Sequence, residues 1–217
     1  MILKGKLKMI LDIMETGPMP VNTYILQDEI SKEAIVIDVG GDFEKIKQLT
    51  ENKGYEIKYI LNTHGHFDHV LGEIYVRKNY PNLPIYISKN DLSHIEKLKD
   101  EIKYFGFSAS DTPLVLDKFI DESSELYIGK HKIQVIETPG HSKGGLSFYT
   151  DGKLFAGDSL FYRSIGRTDF YDGDFDTLIS SIKNKLFVRP DDTIVYPGHG
   201  PSTTIKDEKK FNEYLTE

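Results

Sequence analysis

The chain has 217 residues, 39% of them hydrophobic and 28% charged, which is typical of a folded soluble protein with a sizeable core. Its formal net charge of −7 opposes binding to phosphate backbones, so we expect no nucleic-acid partner. The absence of cysteine excludes disulfide bonds, a thiol nucleophile and cysteine-based metal sites. No apolar run approaches the roughly 20 residues of a membrane span, so we expect a cytoplasmic protein that does not bind membranes.

The first half of the chain predicts strands that alternate with helices. Over residues 3–13 apolar residues alternate with lysines, as in a half-buried strand, and Asp12 and Glu15 exclude a signal peptide. Asp42 follows Gly40-Gly41 and is the predicted N-cap of the first helix. The predicted strands are 3–13, 21–28, 33–39, 57–63 and 84–88, and the predicted helices lie near 42–53, 70–80 and 90–104.

The second half predicts mainly hairpins. One pairs 125–128 with 131–137, and another pairs 146–150 with 153–157 about the turn Asp151-Gly152. A helix near 175–187, a strand at 193–196 and a helix near 203–215, with a capping box from Thr204, complete the chain. Strands and helices in both halves predict two sheets with helices packed outside. We predict one domain over 1–217, built from two pseudo-symmetric halves of roughly 1–115 and 116–217.

The segment Thr63-His64-Gly65-His66-Phe67-Asp68-His69 places four metal-ligand side chains at the end of a predicted strand. On an extended backbone His64 and His66 point the same way, because side chains two residues apart share a face. Asp68 and His69 follow where the next helix starts, so they can face a second position. This pattern indicates a metal site.

Three further ligand-type residues also follow predicted strands. His141 lies in PGHS, Asp158 in FAGD and His199 in PGHG. Each signal is weak alone, but together they place every candidate ligand at a strand end, where binding sites of sheet proteins commonly lie. The other two histidines, His94 on a helix and His131 in a hairpin, are interpreted as surface residues.

The order HxHxDH, then His, Asp and His on later strand ends, resembles the metallo-β-lactamase superfamily over essentially the whole chain. The resemblance implies an α/β (α+β) fold, the four-layer αβ/βα sandwich of two mixed sheets with helices on both outer faces. It also implies two divalent metal ions, with zinc expected first and iron or manganese as alternatives. The implied ligands are His64, His66 and His141 for one metal and Asp68, His69 and His199 for the other, with Asp158 bridging them.

The segment Ser164–Phe170, SIGRTDF, together with PGHS and PGHG, is similar to the small glyoxalase II-like hydrolases (hydroxyacylglutathione hydrolases). Eighteen residues follow His199, so the added C-terminal helical domain of full-length glyoxalase II is not expected. Asp38 is a candidate to hydrogen-bond a ligand imidazole, or else a turn residue at a helix entry. The candidate substrate-binding residues are Lys143, Tyr162, Arg163 and Arg167, the last also a candidate for ion pairing with Asp169.

The resemblance implies a hydrolase in which a metal-bridging hydroxide cleaves a small thioester, with Asp68 and Asp158 as catalytic residues. A GRTDF segment also occurs in persulfide dioxygenases, which use one iron, so that oxidoreductase activity is the alternative. A lactonase or another ester hydrolase of the same fold is a further alternative. A metal-binding protein without catalysis is disfavoured because a purely structural site would not need Asp68. The sequence indicates no particular oligomeric state.

Overall fold

The computed structural model describes residues 9–216. The first half forms a six-stranded sheet in which the strands follow one another in chain order. The first three strands pair antiparallel and the rest pair parallel, so the sheet is mixed. The strands are β1 (Met9–Thr16), β2 (Val21–Asp28), β3 (Glu33–Ile37), β4 (Glu56–Leu61), β5 (Ile85–Ile87) and β6 (Lys118–Phe119).

The second half forms another six-stranded mixed sheet and a small two-stranded one. The large sheet contains β7 (Leu126–Ile128), β8 (His131–Glu137), β9 (Leu146–Thr150), β10 (Lys153–Gly157), β13 (Ile194–Pro197) and β14 (Thr203–Thr204). Its spatial order is β14-β13-β10-β9-β8-β7, and only β10 and β13 pair in parallel. The small sheet pairs β11 (Leu160–Phe161) with β12 (Ser164–Ile165).

Helices lie on the outer face of each sheet. They are α1 (Phe43–Asn52), α2 (Phe67–Asn79), α3 (Leu92–Tyr104), α4 (Phe175–Ser181) and α5 (Ile205–Phe211). A 3₁₀ turn, Lys89–Asp91, precedes α3, and a π-helical turn, Ile182–Leu186, follows α4. Over the residues that the structure describes, none of these helices combines the length and the apolar character that crossing a bilayer requires.

The two sheets pack face to face around the main core. Alternation along β2 shows how: Tyr24 and Leu26 point between the sheets, whereas Ile25 packs under α1 and α2. Phe148 and Phe155 are fully buried between the sheets, and each stabilises the fold by about 1.5–3 kcal/mol through burial. A separate cluster packs α4 and α5 on the second sheet. The expected four-layer sandwich of two mixed sheets with helices outside is therefore confirmed.

Some local predictions were wrong. Asp42 precedes α1 as expected, but its left-handed backbone (φ 54°) directs the side chain to Lys45 and not to a capping hydrogen bond. The last helix is shorter than 203–215, because Thr203–Thr204 pairs with β13 and Asn212 leaves the helix. Thr204 does cap it, accepting from Asp207 N at 3.1 Å. Residues 3–8 of the first predicted strand lie outside the described residues.

The candidate ligands lie at one edge where both sheets end. Strand β4 leads into the His64–His69 segment, and β8 leads towards His141. Since β10 and β13 are parallel, the residues that follow them, Asp158 and His199, emerge on the same side. A hydrogen bond from Leu146 N to Thr63 O (2.7 Å) joins the two halves at this edge.

Candidate metal centre

Three histidines form one compact group, the His cluster, which consists of His64, His66 and His141. Their ligand nitrogens all lie within 4.8 Å of one another. His66 Nδ1 and His141 Nε2 are 2.9 Å apart, and the ring of His64 lies edge-on to both. Two nitrogens on one zinc ion, each about 2.1 Å from it, lie about 3.4 Å apart in tetrahedral geometry, so the spacing suits one metal ion.

A second group, the Asp–His cluster, consists of Asp68, His69 and His199, and its ligand atoms also lie within 4.8 Å of one another. Asp68 and His69 are in the first turn of α2, which begins three residues before the predicted helix near 70–80, whereas His199 follows β13. Asp68 Oδ2 lies 3.2 Å from His199 Nε2 and 4.0 Å from His69 Nε2. A mixed carboxylate–imidazole group of this size also suits a divalent metal.

Asp158 lies between the two clusters. Its Oδ1 is 3.3 Å from His69 Nε2, and its Oδ2 is 3.6 Å from His141 Nε2 and 3.8 Å from His199 Nε2. The loop after β13 passes directly over this carboxylate, and a Cβ at Gly198 would collide with both Asp158 and His69. The carboxylate is thus within reach of ligand atoms from both groups.

Most of the imidazoles are anchored through Nδ1, which leaves Nε2 facing the clusters. His69 Nδ1 is 2.9 Å from Asp38 Oδ2, His141 Nδ1 donates to Arg167 O (2.7 Å) and His199 Nδ1 donates to Pro20 O (2.6 Å). An Nδ1–H that donates outward leaves the Nε2 lone pair free for a metal. This arrangement is the usual one for metal-binding histidines.

His64 is anchored through a chain of hydrogen bonds. Thr63 Oγ1 donates to Asp38 Oδ2 (2.7 Å), so it accepts at 3.0 Å from His64 Nδ1. Asp38 also accepts from Thr63 N (2.8 Å), and it therefore holds both His64 and His69. Asp38 is therefore in a position to orient a ligand imidazole, and that role stays a prediction. Its left-handed backbone (φ 56°) makes it a turn residue as well.

Unsatisfied buried atoms give an independent test of whether metal fits. Within residues 9–216, His64 Nε2, His69 Nε2 and Asp158 Oδ1 are buried and lack a hydrogen-bond partner. Each such group costs about 1–3 kcal/mol when nothing replaces its lost hydration. All three atoms face the clusters, where divalent cations would satisfy them. The donor set of imidazole and carboxylate serves zinc, iron and manganese alike.

In the His cluster, the surroundings of His64 and His66 disfavour protonation of these rings. Burial, together with the neighbouring imidazoles, holds the pKa of His64 and the pKa of His66 well below the usual value. Both rings are therefore neutral near pH 7, which is the state that binds metal.

The Asp–His cluster has the opposite bias. Burial would lower the pKa of His69, but Asp158 and Asp38 raise it well above the usual value. Burial opposes protonation of His199 too, but its hydrogen bond with Asp68 raises its pKa. Burial raises the pKa of Asp158, but the neighbouring histidines His69, His141 and His199 together outweigh burial and hold its net pKa below the usual value. The carboxylates therefore stabilise the protonated, positively charged form of His69 and His199.

Two histidines were misplaced by sequence reasoning. His94, predicted at the surface, is 1% exposed, and its nitrogens lie 2.9 Å from Glu101 Oε1 and Asp172 Oδ2. Those carboxylates outweigh burial and raise the pKa of His94 to about 9. His131 is buried too, paired with Asp151. Spacing could have found both, since His94 shares a helix face with buried Leu98, and His131 follows the alternation of β8.

Asp91 is a buried carboxylate that sequence reasoning missed. It accepts hydrogen bonds from Gly65 N (2.8 Å), Ser142 Oγ (2.8 Å) and Gly144 N. Gly65 lies between two ligands of the His cluster, and Ser142 follows His141. Asp91 therefore ties together the two loops that supply the His cluster. No sequence signal distinguished it from an ordinary helix-entry aspartate.

The four predicted substrate-binding residues lie in different surroundings. Lys143 is exposed and Tyr162 is 50% exposed. Arg163 faces α5: its Nη1 donates to Asp207 O (2.9 Å) and its guanidinium lies 4.2 Å from the ring centre of Phe211. Substrate binding by these residues stays a prediction.

Arg167 forms the ion pair with Asp169 that the sequence offered as an alternative. Two hydrogen bonds of 2.7 Å join the groups, and the guanidinium lies 4.3 Å from the ring centre of Phe170. Phe170 in turn packs edge-on against His66 and His141. Together with the Arg167 carbonyl that accepts from His141, this segment covers the His cluster.

The sequence profile of the metallo-beta-lactamase superfamily matches residues 16–199, which include all seven candidate ligands. The chain belongs to this superfamily. Hydroxyacylglutathione hydrolase GloC of Haemophilus influenzae is 36% identical over 197 residues, which cover 89% of this chain and 92% of GloC. The superfamily members are metal-dependent hydrolases, so the expected class of enzyme is confirmed at that level.

Two solved structures of the superfamily are similar over nearly the whole chain. The BLEG-1 B3 metallo-beta-lactamase superposes with a TM-score of 0.84 at 35% identity, covering 96% of this chain and 100% of BLEG-1. TTHA1623 in a di-iron-bound form also superposes with a TM-score of 0.84, at 32% identity, covering 94% of this chain and 100% of TTHA1623. The fold is therefore compatible with more than one activity and with bound iron.

Proposed function

We propose that this superfamily member is a binuclear metal-dependent hydrolase that cleaves small thioesters such as hydroxyacyl-thiol conjugates. The observation that carries the proposal is the position of Asp158, whose two oxygens lie within 4 Å of ligand nitrogens from both clusters. The His cluster would hold one metal, the Asp–His cluster the other, and Asp158 would bridge them. Zinc is the first expectation, and the similarity to a di-iron-bound protein supports iron as an alternative.

When bound, the two metals would lower the pKa of a water molecule towards neutrality and stabilise charge that develops on a carbonyl oxygen. Asp158 would fix the distance between the clusters. Asp68, buried at the centre with a carboxylate that lies beside His199, would orient the attacking water by accepting its hydrogen bond. A thiol has a pKa of about 8.5, so a thiolate can leave without a strong general acid.

The thioester substrate is supported by the similarity to GloC, a hydroxyacylglutathione hydrolase. Lys143, two residues after His141, and Tyr162, four residues after Asp158, are exposed and are candidates to bind a substrate carboxylate or carbonyl. Nothing in this proposal requires a nucleic acid or a membrane, and the cytoplasmic location stays a prediction.

The mononuclear-iron persulfide dioxygenase remains the alternative from another class. It would use His64, His141 and Asp158 around one iron and would not need the other cluster. The Asp–His cluster is gathered as closely as the His cluster, and both of its histidines are anchored through Nδ1. That completeness favours the two-metal hydrolase.

The deciding experiment is hydrolysis of S-lactoylglutathione by protein reconstituted separately with zinc, iron or manganese, with and without a chelator. We expect chelator-sensitive turnover. A β-lactam and a lactone are assayed in parallel, because BLEG-1 is as similar as GloC. Turnover of only the β-lactam or the lactone would contradict the thioester assignment. Oxygen consumption with glutathione persulfide in the iron-loaded protein, without thioester hydrolysis, would establish the oxidoreductase.

A further inference from the structure

The loop that carries His199 is held by a strand of the opposite sheet. The loop comprises Pro197–Gly200, and three of its carbonyl groups accept hydrogen bonds from Asn22, at the start of β2. Asn22 Nδ2 donates to Pro197 O (3.0 Å) and to Gly200 O (2.8 Å), and Asn22 N donates to Gly198 O (2.7 Å). Tyr24, two residues along β2, donates its hydroxyl to Pro197 O as well. One side chain thus fixes both ends of the loop.

An asparagine is chemically suited to this position. Its amide nitrogen carries two hydrogens, and both are used, one on each side of His199. Asn22 is 6% exposed, so water cannot easily replace these bonds. Aspartate has the same shape but no hydrogen to donate, and its charge would face two carbonyl oxygens.

The position of this loop determines where the imidazole of His199 lies. Gly198 packs so closely on Asp158 and His69 that no Cβ could be accommodated, so a shift of the loop moves it against other ligands. The carbonyl of Pro20, which precedes β2, accepts from His199 Nδ1 at 2.6 Å and sets the orientation of the ring. The segment around Asn22 therefore controls both the loop and the ring.

We infer that Asn22 is a positioning residue for the metal held by the Asp–His cluster, acting through the loop that carries His199. The inference rests on the metal centre of the proposed function and assigns a role that the ligand motif does not contain. Asn22 touches neither Asp68 nor the His cluster in its hydrogen bonds, so its effect falls on one metal and not on both.

The test is a zinc titration of metal-free protein against a chromophoric chelator, which gives two dissociation constants without any assay of turnover. In Asn22→Asp we expect one constant to rise about 10–100-fold, the usual effect of removing a group that holds a ligand. The other constant should change by less than about twofold, since Asn22 makes no hydrogen bond to the loops of the His cluster. Thr23→Val is the matched control: it removes a buried hydrogen bond of the same strand, to Thr16, that does not reach the loop.

A double-mutant cycle distinguishes positioning from general destabilisation. His199→Ala should raise the same dissociation constant, and Asn22→Asp should then add no further loss, because its effect passes through His199. Tyr24→Phe, which removes only one donor to Pro197 O, replaces Asn22→Asp if that variant fails to fold, with a rise of about tenfold in the same constant.

Several results would overturn the inference. In Asn22→Asp, these are two unchanged dissociation constants or an equal rise in both. The same rise in the control Thr23→Val, or full additivity of Asn22→Asp with His199→Ala, would also contradict it. A wild-type protein that binds fewer than two zinc ions would contradict the proposed binuclear centre itself. Two bound metals in the wild type with an unaffected Asn22→Asp variant would contradict the role of Asn22 alone.

Discussion

The His cluster and the Asp–His cluster present the same number of ligand groups in opposite electrostatic surroundings. In the His cluster, burial and neighbouring imidazoles lower the pKa of His64 and the pKa of His66. In the Asp–His cluster, carboxylates raise the pKa of His69 and the pKa of His199. His64 and His66 are therefore neutral rings, whereas His69 and His199 lie in a network of opposite charges.

The two clusters also differ in how they are held. The loops of the His cluster are joined by Asp91, a buried carboxylate with three donors. The Asp–His cluster depends on Asp38 for His69 and on the segment from Pro20 to Asn22 for His199. The side chain of His199 is 32% exposed, whereas that of His69 is fully buried. The His cluster is therefore held from inside the fold, and part of the Asp–His cluster is held from its edge.

Asp158, which serves both clusters, should give the largest effect. We expect Asp158→Ala to lower kcat/KM by at least about 10²–10³-fold, because it removes a preorganised charge between the clusters. Steady-state kinetics and metal analysis check this. Asp111→Ala, an exposed aspartate paired with Lys99, is the control and should keep wild-type activity. Full activity in Asp158→Ala would remove the bridging role on which the proposed function depends.

Asp38→Asn tests whether the Asp–His cluster depends on the tautomer of His69. Asparagine tolerates the left-handed backbone at this position, so the turn should persist. Its amide nitrogen, however, cannot accept from both His69 and Thr63 as the carboxylate does. We expect a loss of about 10–100-fold in the affinity for one zinc ion, measured by chelator competition. If both zinc sites weaken equally, the contact through Thr63 to His64 contributes as much as the contact to His69.

Ser142→Ala tests the anchoring of the His cluster. The variant removes one donor to Asp91 and leaves the two backbone donors, Gly65 N and Gly144 N. We expect the free energy of unfolding to fall by about 1.5–3 kcal/mol, the usual contribution of a hydrogen bond to a charged group. Urea denaturation measures this loss, and metal analysis should still find two ions. Loss of a metal would show that the cluster is less rigidly held than Asp38 and Asp91 imply.

The smallest effect is expected at Glu73, a residue of α2 whose carboxyl group is buried. Burial raises its pKa well above the usual value, so the folded protein keeps the proton that the unfolded chain releases. The folded pKa exceeds the unfolded one. The contribution of Glu73 to the free energy of unfolding is therefore fully present below about pH 4.3 and is lost as pH rises towards the folded pKa. We expect Glu73→Gln to be more stable by about 1 kcal/mol at pH 8 and unchanged at pH 4.

Differential scanning calorimetry across this pH range checks the expectation, with a gain of about 2–4 °C in Tm at pH 8 for a chain of this size. Parallel curves for the wild type and Glu73→Gln at all pH values would show that the carboxyl group is satisfied by a partner. Tyr75→Phe on the same helix, at an exposed position, is the control for changes in α2 itself.

Sequence patterns predicted the long strands of the sheets better than the short ones. The predicted strands 21–28 and 131–137 match β2 and β8, and the predicted turn Asp151-Gly152 joins β9 and β10. The four two-residue strands were not predicted, because two residues carry no periodicity. The helix near 175–187 was predicted as one piece, but it continues as a π-helical turn after Ser181.

The sequence by itself determined the ligand side chains and their place after strands, because residue type and local periodicity are both local properties. Only the tertiary structure decided which residues hold those ligands. His199 is anchored by a carbonyl 179 positions away, Asn22 reaches a loop 175 positions away, and Asp91 joins segments on both sides of it. Such contacts form only when the two sheets pack against each other, so no local pattern encodes them.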